Sequence, residues 1–175
     1  HDSVLQTLAL VQRRAENPRE VASLARRQER ELRAWLLDRP STRAGESLAA
    51  ALEAAAAEVE DSHGGAIELV TVGDCPLDPD AEAVLGAARE AILNAAKFAG
   101  DAGPIDAFAE MGPERIEVFV RDRGAGFDPD AVPEDRQGVR ESIIGRMERH
   151  GGRAAVRAGA GGGTEVELSL KRVRT

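Results

Sequence analysis

Apolar residues recur with two different periods along the chain, and these periods predict its elements. In residues 1–15 and 18–37 they recur every three or four positions, which predicts two amphipathic helices. Asn17 can cap the second helix, Pro18 can be its first residue, and Glu20 can complete a capping box. Because the connection is so short, we predict that the two helices form an antiparallel hairpin.

A hairpin of this length buries little apolar surface by itself, so a partner is expected. The pattern leaves two partners open, namely a second copy of the hairpin or the rest of the chain. We favour the second copy, which predicts a dimeric four-helix bundle. Residues 39–46 are polar and contain Pro40 and Gly45, which is typical of a linker. The predicted division is therefore residues 1–38, the linker, and residues 47–175.

The rest of the chain mixes helices with short strands. Helices are predicted at residues 47–60, 78–98 and 138–150, and strands at residues 67–72, 105–111, 115–121, 153–158 and 164–170. Segregated blocks of helices and mostly antiparallel strands predict an α+β two-layer sandwich. Residues 124–137 are rich in Pro, Asp and Gly, and we predict a loop long enough to act as a lid.

Composition and charge limit the classes of protein to which this chain can belong. With 42% hydrophobic and 31% charged residues, the chain has the composition of a soluble globular protein. A formal net charge of -8 argues against a nucleic-acid-binding surface. The single cysteine, Cys75, excludes an internal disulfide and fits a reducing compartment. We expect a cytoplasmic fragment whose parent protein reaches a membrane only through segments upstream, because no apolar run here could span one.

Three polar residues share one face of the helix predicted at residues 78–98. Glu90, Asn94 and Lys97 are spaced i, i+4 and i+7. Carboxylate and amide oxygens suit a divalent cation, and a lysine suits a phosphate group. The row therefore fits a cation that bridges phosphates, but it also fits an ordinary solvated stripe.

Glycine-containing stretches lie at three later places in the chain. They contain Asp122, Gly124 and Gly126, then Gly138, Ser142 and Gly145, then Gly163 and Thr164. Glycines let backbone N–H groups approach phosphate oxygens, and a helix beginning near Gly138 would add its positive end. The chain has no G-K-[ST] sequence, so this is not a Walker-type loop. Each stretch alone is also compatible with an ordinary turn.

The order of these features is more specific than any one of them. Over residues 47–171 the chain resembles the ATP-binding domain (the Bergerat or GHKL fold) shared by histidine kinases, gyrase, mismatch-repair and chaperone ATPases. The resemblance implies that Glu90 is catalytic, that Asn94 holds Mg²⁺, and that Asp122 binds the adenine amino group. It also implies that Lys97 and the later glycine stretches, with Thr164, contact ATP. Ser142 departs from the family pattern, which commonly has a glycine there.

The first predicted helix opens His1-Asp2-Ser3-Val4-Leu5-Gln6, which resembles the H-D-x-x-x-Q motif of DesK/NarX-type sensor histidine kinases. The resemblance implies that His1 accepts a phosphoryl group, and a neutral imidazole nitrogen is a good nucleophile. It implies further that Asp2 orients His1 or takes its proton, and that Gln6 positions a water for dephosphorylation. His1 also falls near the apolar stripe of the helix, so a core or interface histidine is an alternative.

Together these resemblances predict the core of a two-component sensor histidine kinase. The expected activity is Mg·ATP-dependent autophosphorylation of His1 in a homodimer, followed by transfer to an aspartate of a NarL-like response regulator. Residues 141–152 resemble actinobacterial members that carry a PspC-like sensor. Two alternatives remain open. One is a serine kinase of the anti-sigma-factor type, which needs no phosphoacceptor histidine, and the other is a non-enzymatic ATP-binding module that dimerises through the hairpin.

Overall fold

The computed structural model describes residues 5–6, 18–36, 47–126, 134–159 and 161–173. Its helices are α1 (Pro18–Leu36), α2 (Leu48–His63), α3 (Pro79–Ala99) and α4 (Glu134–Arg149), and a 3₁₀ turn at Gly100–Ala102 follows α3. Its strands are β1 (Ile67–Gly73), β2 (Ile105–Met111), β3 (Arg115–Arg121), β4 (Arg153–Ala158) and β5 (Thr164–Lys171). Residues 5 and 6 are helical. The rest of the first predicted helix and the predicted linker lie outside the described residues.

The five strands form one mixed sheet in the order β1-β2-β3-β5-β4. β1 and β2 are parallel, and the other neighbouring strands are antiparallel. A parallel pair needs a long crossover connection, which α3 provides here. The α+β prediction is confirmed, and β2–β3 and β4–β5 are antiparallel pairs of consecutive strands.

Local capping signals place the ends of α2 and α3. The Oγ of Ser47 accepts a hydrogen bond from the N–H of Ala50, and Oδ1 of Asp78 accepts one from the N–H of Ala81. Each side chain thus satisfies a backbone donor that the first helical turn leaves free. Gly64 ends α2 in a left-handed conformation with φ 72°. None of the described helices is long and apolar enough to cross a membrane.

The core lies between the sheet and the helices α2, α3 and α4. In β3 the alternate residues Ile116, Val118 and Val120 are buried, as the sequence pattern predicts. The side of α3 that is buried is rich in alanine, which lets this helix approach the sheet closely. The C-terminal half of α3 thereby comes next to the carboxyl end of β3.

The start of α4 differs from the prediction. This helix begins at Glu134 rather than near Gly138, so part of the predicted lid is helical. A glycine in a helix interior costs only about 1 kcal/mol relative to alanine, so Gly138 does not interrupt the helix. The positive helix end therefore lies at Glu134, one turn before the position predicted for it. Residues 127–133 of the predicted lid lie outside the part of the chain that the structure describes.

Candidate functional site

A cleft lies between α3, α4 and the segment that follows β3. It has a volume of about 550 Å³, including the part open to solvent. Asn94 and Phe98 line it from α3, Asp122 from the end of β3, and Arg136 and Arg140 from α4. Apolar side chains of α4, β4 and β5 complete the lining, so charged and polar groups are a minority of it. This combination is typical of a small-molecule site.

Asp122 lies at the carboxyl end of β3 and is only 6% exposed. Its Oδ1 accepts hydrogen bonds from the backbone N–H groups of Gly124 and Thr164, each at 3.0 Å. These two bonds hold the carboxylate in one orientation. Its Oδ2 accepts no hydrogen bond from the described residues. That oxygen is therefore free to accept a hydrogen bond from an amino group in the cleft.

Close backbone packing requires glycine at two positions beside Asp122. A Cβ added to Gly124 would lie 2.7 Å from the Cβ of Ala99. A Cβ added to Gly163 would lie 2.1 Å from the carbonyl oxygen of Asp122, and Gly163 also has a φ of 80°. A side chain at either position would push these segments apart. Gly126, two residues after Gly124, lines the cleft together with Gly124.

The structure places the three residues predicted on one helix face in three different environments. Asn94 lines the cleft, and its Oδ1 is buried without a hydrogen-bond partner among the described residues. Glu90 accepts a hydrogen bond from the Oγ of Ser142 at 3.2 Å, and its carboxylate lies 4.0 Å from the guanidinium of Arg146. Lys97 is exposed and does not line the cleft. Of the three, Asn94 alone combines a buried polar atom with access to the cleft.

The oxygen of Asn94 fits a hard cation. A buried acceptor without a partner costs about 1–3 kcal/mol, and a ligand in the cleft would remove that cost. An amide oxygen is a suitable ligand for Mg²⁺, which usually keeps several waters and takes few protein ligands. The described ranges contain no group of three or more His, Cys, Asp or Glu residues that could hold a metal. A cation at Asn94 would therefore take its other ligands from water and from a bound anion.

Helix α4 runs antiparallel to α3, and its contacts keep a regular register. The pairs are Arg136–Phe98, Ser142–Glu90, Arg146–Gly86 and His150–Asp80. Gly86 leaves room for the guanidinium of Arg146, since a Cβ there would lie 2.5 Å from its Nη1. Asn94 lies one turn from both Phe98 and Glu90, so it faces the part of α4 between Arg136 and Ser142.

One stripe of α4 faces the cleft. Arg136, Val139, Arg140 and Ile143 line it at spacings i, i+3, i+4 and i+7. The guanidinium of Arg136 lies 4.4 Å from the ring centroid of Phe98, and its Nη1 donates to the carbonyl of Gly126 at 3.1 Å. Phe98 and both arginines were not among the site residues predicted from the sequence. The available signal was a pair of basic residues, Arg136 and Arg140, one helical turn apart at the end of the predicted loop.

The remaining predicted residues lie in several places. Thr164 lines the cleft, whereas Gly138, Ser142 and Gly145 are part of α4 and do not. Gly138 lies in the second turn of α4, where a Cβ would meet nothing within 4 Å. Gln6 is exposed and helical. His1 and Asp2 lie outside the described residues, so the structure does not place the predicted phosphoacceptor.

Comparison with known proteins identifies the family. The family model described as histidine kinase-, DNA gyrase B- and HSP90-like ATPase matches residues 80–174, more than half of the chain. The chain belongs to this ATPase family. The matched residues include α3 from Asp80 onward, β3, α4, β4 and β5, and thus every element that lines the cleft. The family supports binding of ATP by this domain.

Several solved structures with similar folds are histidine kinase domains. The mycobacterial sensor histidine kinase MprB has a TM-score of 0.56 at 18% identity and covers 71% of this chain and 94% of its own. The ATP-binding domain of PrrB from Mycobacterium tuberculosis has a TM-score of 0.53 at 23% identity, with 70% and 92% covered. The histidine kinase domain of the Erythrobacter litoralis EL346 blue-light-activated histidine kinase has a TM-score of 0.54 at 22% identity, with 87% and 72% covered. At these sequence identities, the similarity to the three structures shows that the chain shares their fold. No curated protein sequence matches the chain.

Proposed function

We propose that this chain is the catalytic core of a sensor histidine kinase of the DesK/NarX-like group. It binds Mg·ATP in the cleft between α3 and α4, and the γ-phosphoryl group passes to His1. The single observation that carries the proposal is a cleft with two unused acceptors, Oδ2 of Asp122 and Oδ1 of Asn94. Membership of the ATPase family supports ATP as the ligand, and the three histidine kinases described above, whose folds are similar, support the kinase activity.

Asp122 is proposed to select the base. Its Oδ1 is occupied by two backbone donors, which leaves Oδ2 to accept a hydrogen bond from the exocyclic amino group of adenine. Guanine presents a carbonyl oxygen at the corresponding position, and that oxygen would face a carboxylate without a proton between them. A buried acceptor facing another acceptor is costly, so the site prefers adenine. The apolar lining from Ile143, Val156 and Val166 suits a planar base.

Asn94 is proposed to hold the Mg²⁺ ion that accompanies ATP. The ion would neutralise charge on the phosphate groups. Glu90 lies one turn before Asn94 and is the proposed catalytic carboxylate on α3. Its hydrogen bond to Ser142 holds it against α4, so the orientation of Glu90 depends on the packing of the two helices.

His1 is the proposed phosphoacceptor, on the grounds of the H-D-x-x-x-Q sequence at the start of the chain. An imidazole nitrogen attacks the γ-phosphorus of ATP, a P–N bond forms, the bond to the bridging oxygen breaks, and ADP leaves. Asp2 takes the proton from the other ring nitrogen, and Gln6 positions a water for later dephosphorylation. The reaction proceeds in a homodimer formed by residues 1–38, and a NarL-like receiver domain accepts the phosphoryl group.

The proposal is tested by incubating the chain, and a version extended upstream, with γ-labelled ATP and Mg²⁺. We expect an acid-labile, alkali-stable label that is lost in His1→Gln and in Asn94→Ala. His63→Gln is a matched control, because His63 is exposed at the end of α2, away from the cleft, and it should keep the label. Acid-stable label that survives His1→Gln would instead indicate a serine kinase. ATP binding without any label in either version would indicate a non-enzymatic module.

A further inference from the structure

We propose that Arg140, and not Lys97, is the side chain that binds the phosphate groups of the nucleotide, next to Asn94. This inference rests on the proposed function, because it names a further ligand-binding residue of the same cleft. It also changes the assignment drawn from the sequence, in which Lys97 supplies the positive charge.

The register of α3 against α4 brings Arg140 to the level of Asn94. Arg136 contacts Phe98 and Ser142 contacts Glu90, so the segment of α4 between them faces the turn of α3 that carries Asn94. Arg140 is in that segment, four residues, or about 6 Å along the axis, beyond Arg136. Both Arg140 and Asn94 line the cleft. The guanidinium of Arg140 and the buried amide oxygen of Asn94 therefore lie in the same part of the cleft.

Among the described residues, the charged side chains that line the cleft are Asp122, Arg136 and Arg140. Asp122 is oriented by backbone donors at the far end of β3. Arg136 is held over the ring of Phe98 and by the Gly126 carbonyl. Arg140 makes no hydrogen bond or ion pair within the part of the chain that the structure describes. It is thus a cation in the cleft whose donors are available to a ligand.

The backbone of α4 offers no free N–H donors to a phosphate group beside Asn94. Because α4 begins at Glu134, the free N–H groups of its first turn precede Gly138. The N–H groups from Gly138 onward point along the helix to carbonyl oxygens one turn earlier. A phosphate group beside Asn94 would therefore meet the side chain of Arg140 rather than backbone donors. A guanidinium can bind phosphate oxygens in a bidentate manner.

Lys97 does not have the position that this role requires. It lies in the last turn of α3, is exposed, and does not line the cleft. Its ammonium group is a hydrated point charge at the rim, and water and salt screen such a charge. Arg140 is partly enclosed, so its interaction with a phosphate is screened less.

The experiment measures dissociation constants of ATP, ADP and adenosine, with Mg²⁺ present, by titration calorimetry on the whole chain. For Arg140→Gln we expect ATP and ADP to bind about 10- to 100-fold more weakly, the effect of losing a charge-assisted pair. Adenosine, which has no phosphate, should bind within twofold of the unchanged chain. Arg140→Lys should recover part of the loss, and the affinity of Arg140→Gln for ATP should depend less steeply on salt.

Arg149→Gln is the matched control, because Arg149 is on the same helix, is exposed, and does not line the cleft. It should leave all three dissociation constants unchanged. Equal ATP affinity in Arg140→Gln and the unchanged chain overturns the inference and leaves the proposed function intact. Equal loss of ATP and adenosine also overturns it, since Arg140 would then act by shaping the cleft. A loss in Lys97→Gln with none in Arg140→Gln returns the role to Lys97. Failure of the unchanged chain to bind any of the three ligands refutes the proposed function itself.

Discussion

At the scale of single residues, the two oxygens of the Asp122 carboxylate have different surroundings. Oδ1 accepts hydrogen bonds from the N–H groups of Gly124 and Thr164, while Oδ2 has no partner in the described chain, and the residue lines the cleft. An asparagine has almost the same shape but only one acceptor oxygen. Since two backbone donors need that oxygen, its amide nitrogen must occupy the place of Oδ2.

The change Asp122→Asn should therefore weaken ATP binding with little effect on the fold. Its amide NH₂ would face the adenine amino group, so two donors meet, and ATP affinity should fall at least tenfold, or about 1.4 kcal/mol. Titration calorimetry measures the affinity, and thermal unfolding monitors the fold. Asp106→Asn is the control, because Asp106 is partly exposed on β2, paired with Arg123, and outside the cleft. Unchanged ATP affinity in Asp122→Asn would contradict the proposed role of Oδ2.

At the scale of elements, the turn between β4 and β5 packs against Asp122, which lines the cleft. Gly163 has no room for a side chain, because the carbonyl oxygen of Asp122 occupies the space where a Cβ would be. Its N-terminal neighbour in the same turn, Gly162, also has a positive φ of 93°. Gly161, in contrast, has open space around the position of a Cβ. The turn thus contains one glycine that packing requires, Gly163, and another two residues earlier, Gly161, that packing does not require.

Gly163→Ala should destabilise the protein by about 2–4 kcal/mol, because it adds a left-handed alanine to a steric overlap. Urea denaturation measures the loss of unfolding free energy. Gly161→Ala is the matched control in the same turn and should change it by less than about 0.5 kcal/mol. Similar losses for the two variants would show that flexibility of the turn, rather than contact with Asp122, decides its sequence.

At the scale of the whole molecule, a cluster around Cys75 joins segments that are distant in sequence. The guanidinium of Arg172, just after β5, pairs with Asp78, which caps α3. Oδ1 of Asp74 accepts a hydrogen bond from the N–H of Ala49 at the start of α2. Cys75 is buried between them, at 7% exposure. The two helix starts and the end of the sheet are therefore packed around one thiol.

Burial raises the pKa of the Cys75 thiol, and the nearby Arg172 guanidinium offsets only part of this effect. The folded protein therefore keeps the thiol proton to a higher pH than the unfolded chain does. The resulting contribution to stability is complete below the ordinary thiol pKa, about 8.5, and is lost as pH rises above it. We expect the urea midpoint to fall more steeply between pH 8 and 10 in the unchanged protein than in Cys75→Ala. Parallel curves for the two proteins would contradict the expectation.

The residues of the site were not equally predictable. Asp122 and Gly124 stand out in the sequence because they follow an alternating strand, and the structure places both in the cleft. Phe98 has no local signal, and the spacing of Arg136 and Arg140 is a weak one, since basic and aromatic residues are common on helices. Their role depends on which neighbour each helix packs against. Glu90, Asn94 and Lys97 share a face in the sequence pattern, yet the packing of α4 gives each a different environment.

The sequence by itself determined which parts of residues 47–173 are helices and strands, although not where α4 begins, because the signals of such elements are local. Ser47 and Asp78 cap nearby backbone N–H groups, and β3 alternates buried and exposed residues, so the starts of α2 and α3 and the burial of β3 could be predicted. Only the tertiary structure decided the strand order, with β5 between β3 and β4, and the register of α3 against α4 that brings Arg140 level with Asn94. These features come from packing between residues dozens of positions apart, where many arrangements bury similar apolar surface. The local sequence pattern does not distinguish among these arrangements, so tertiary packing decided which residues line the cleft.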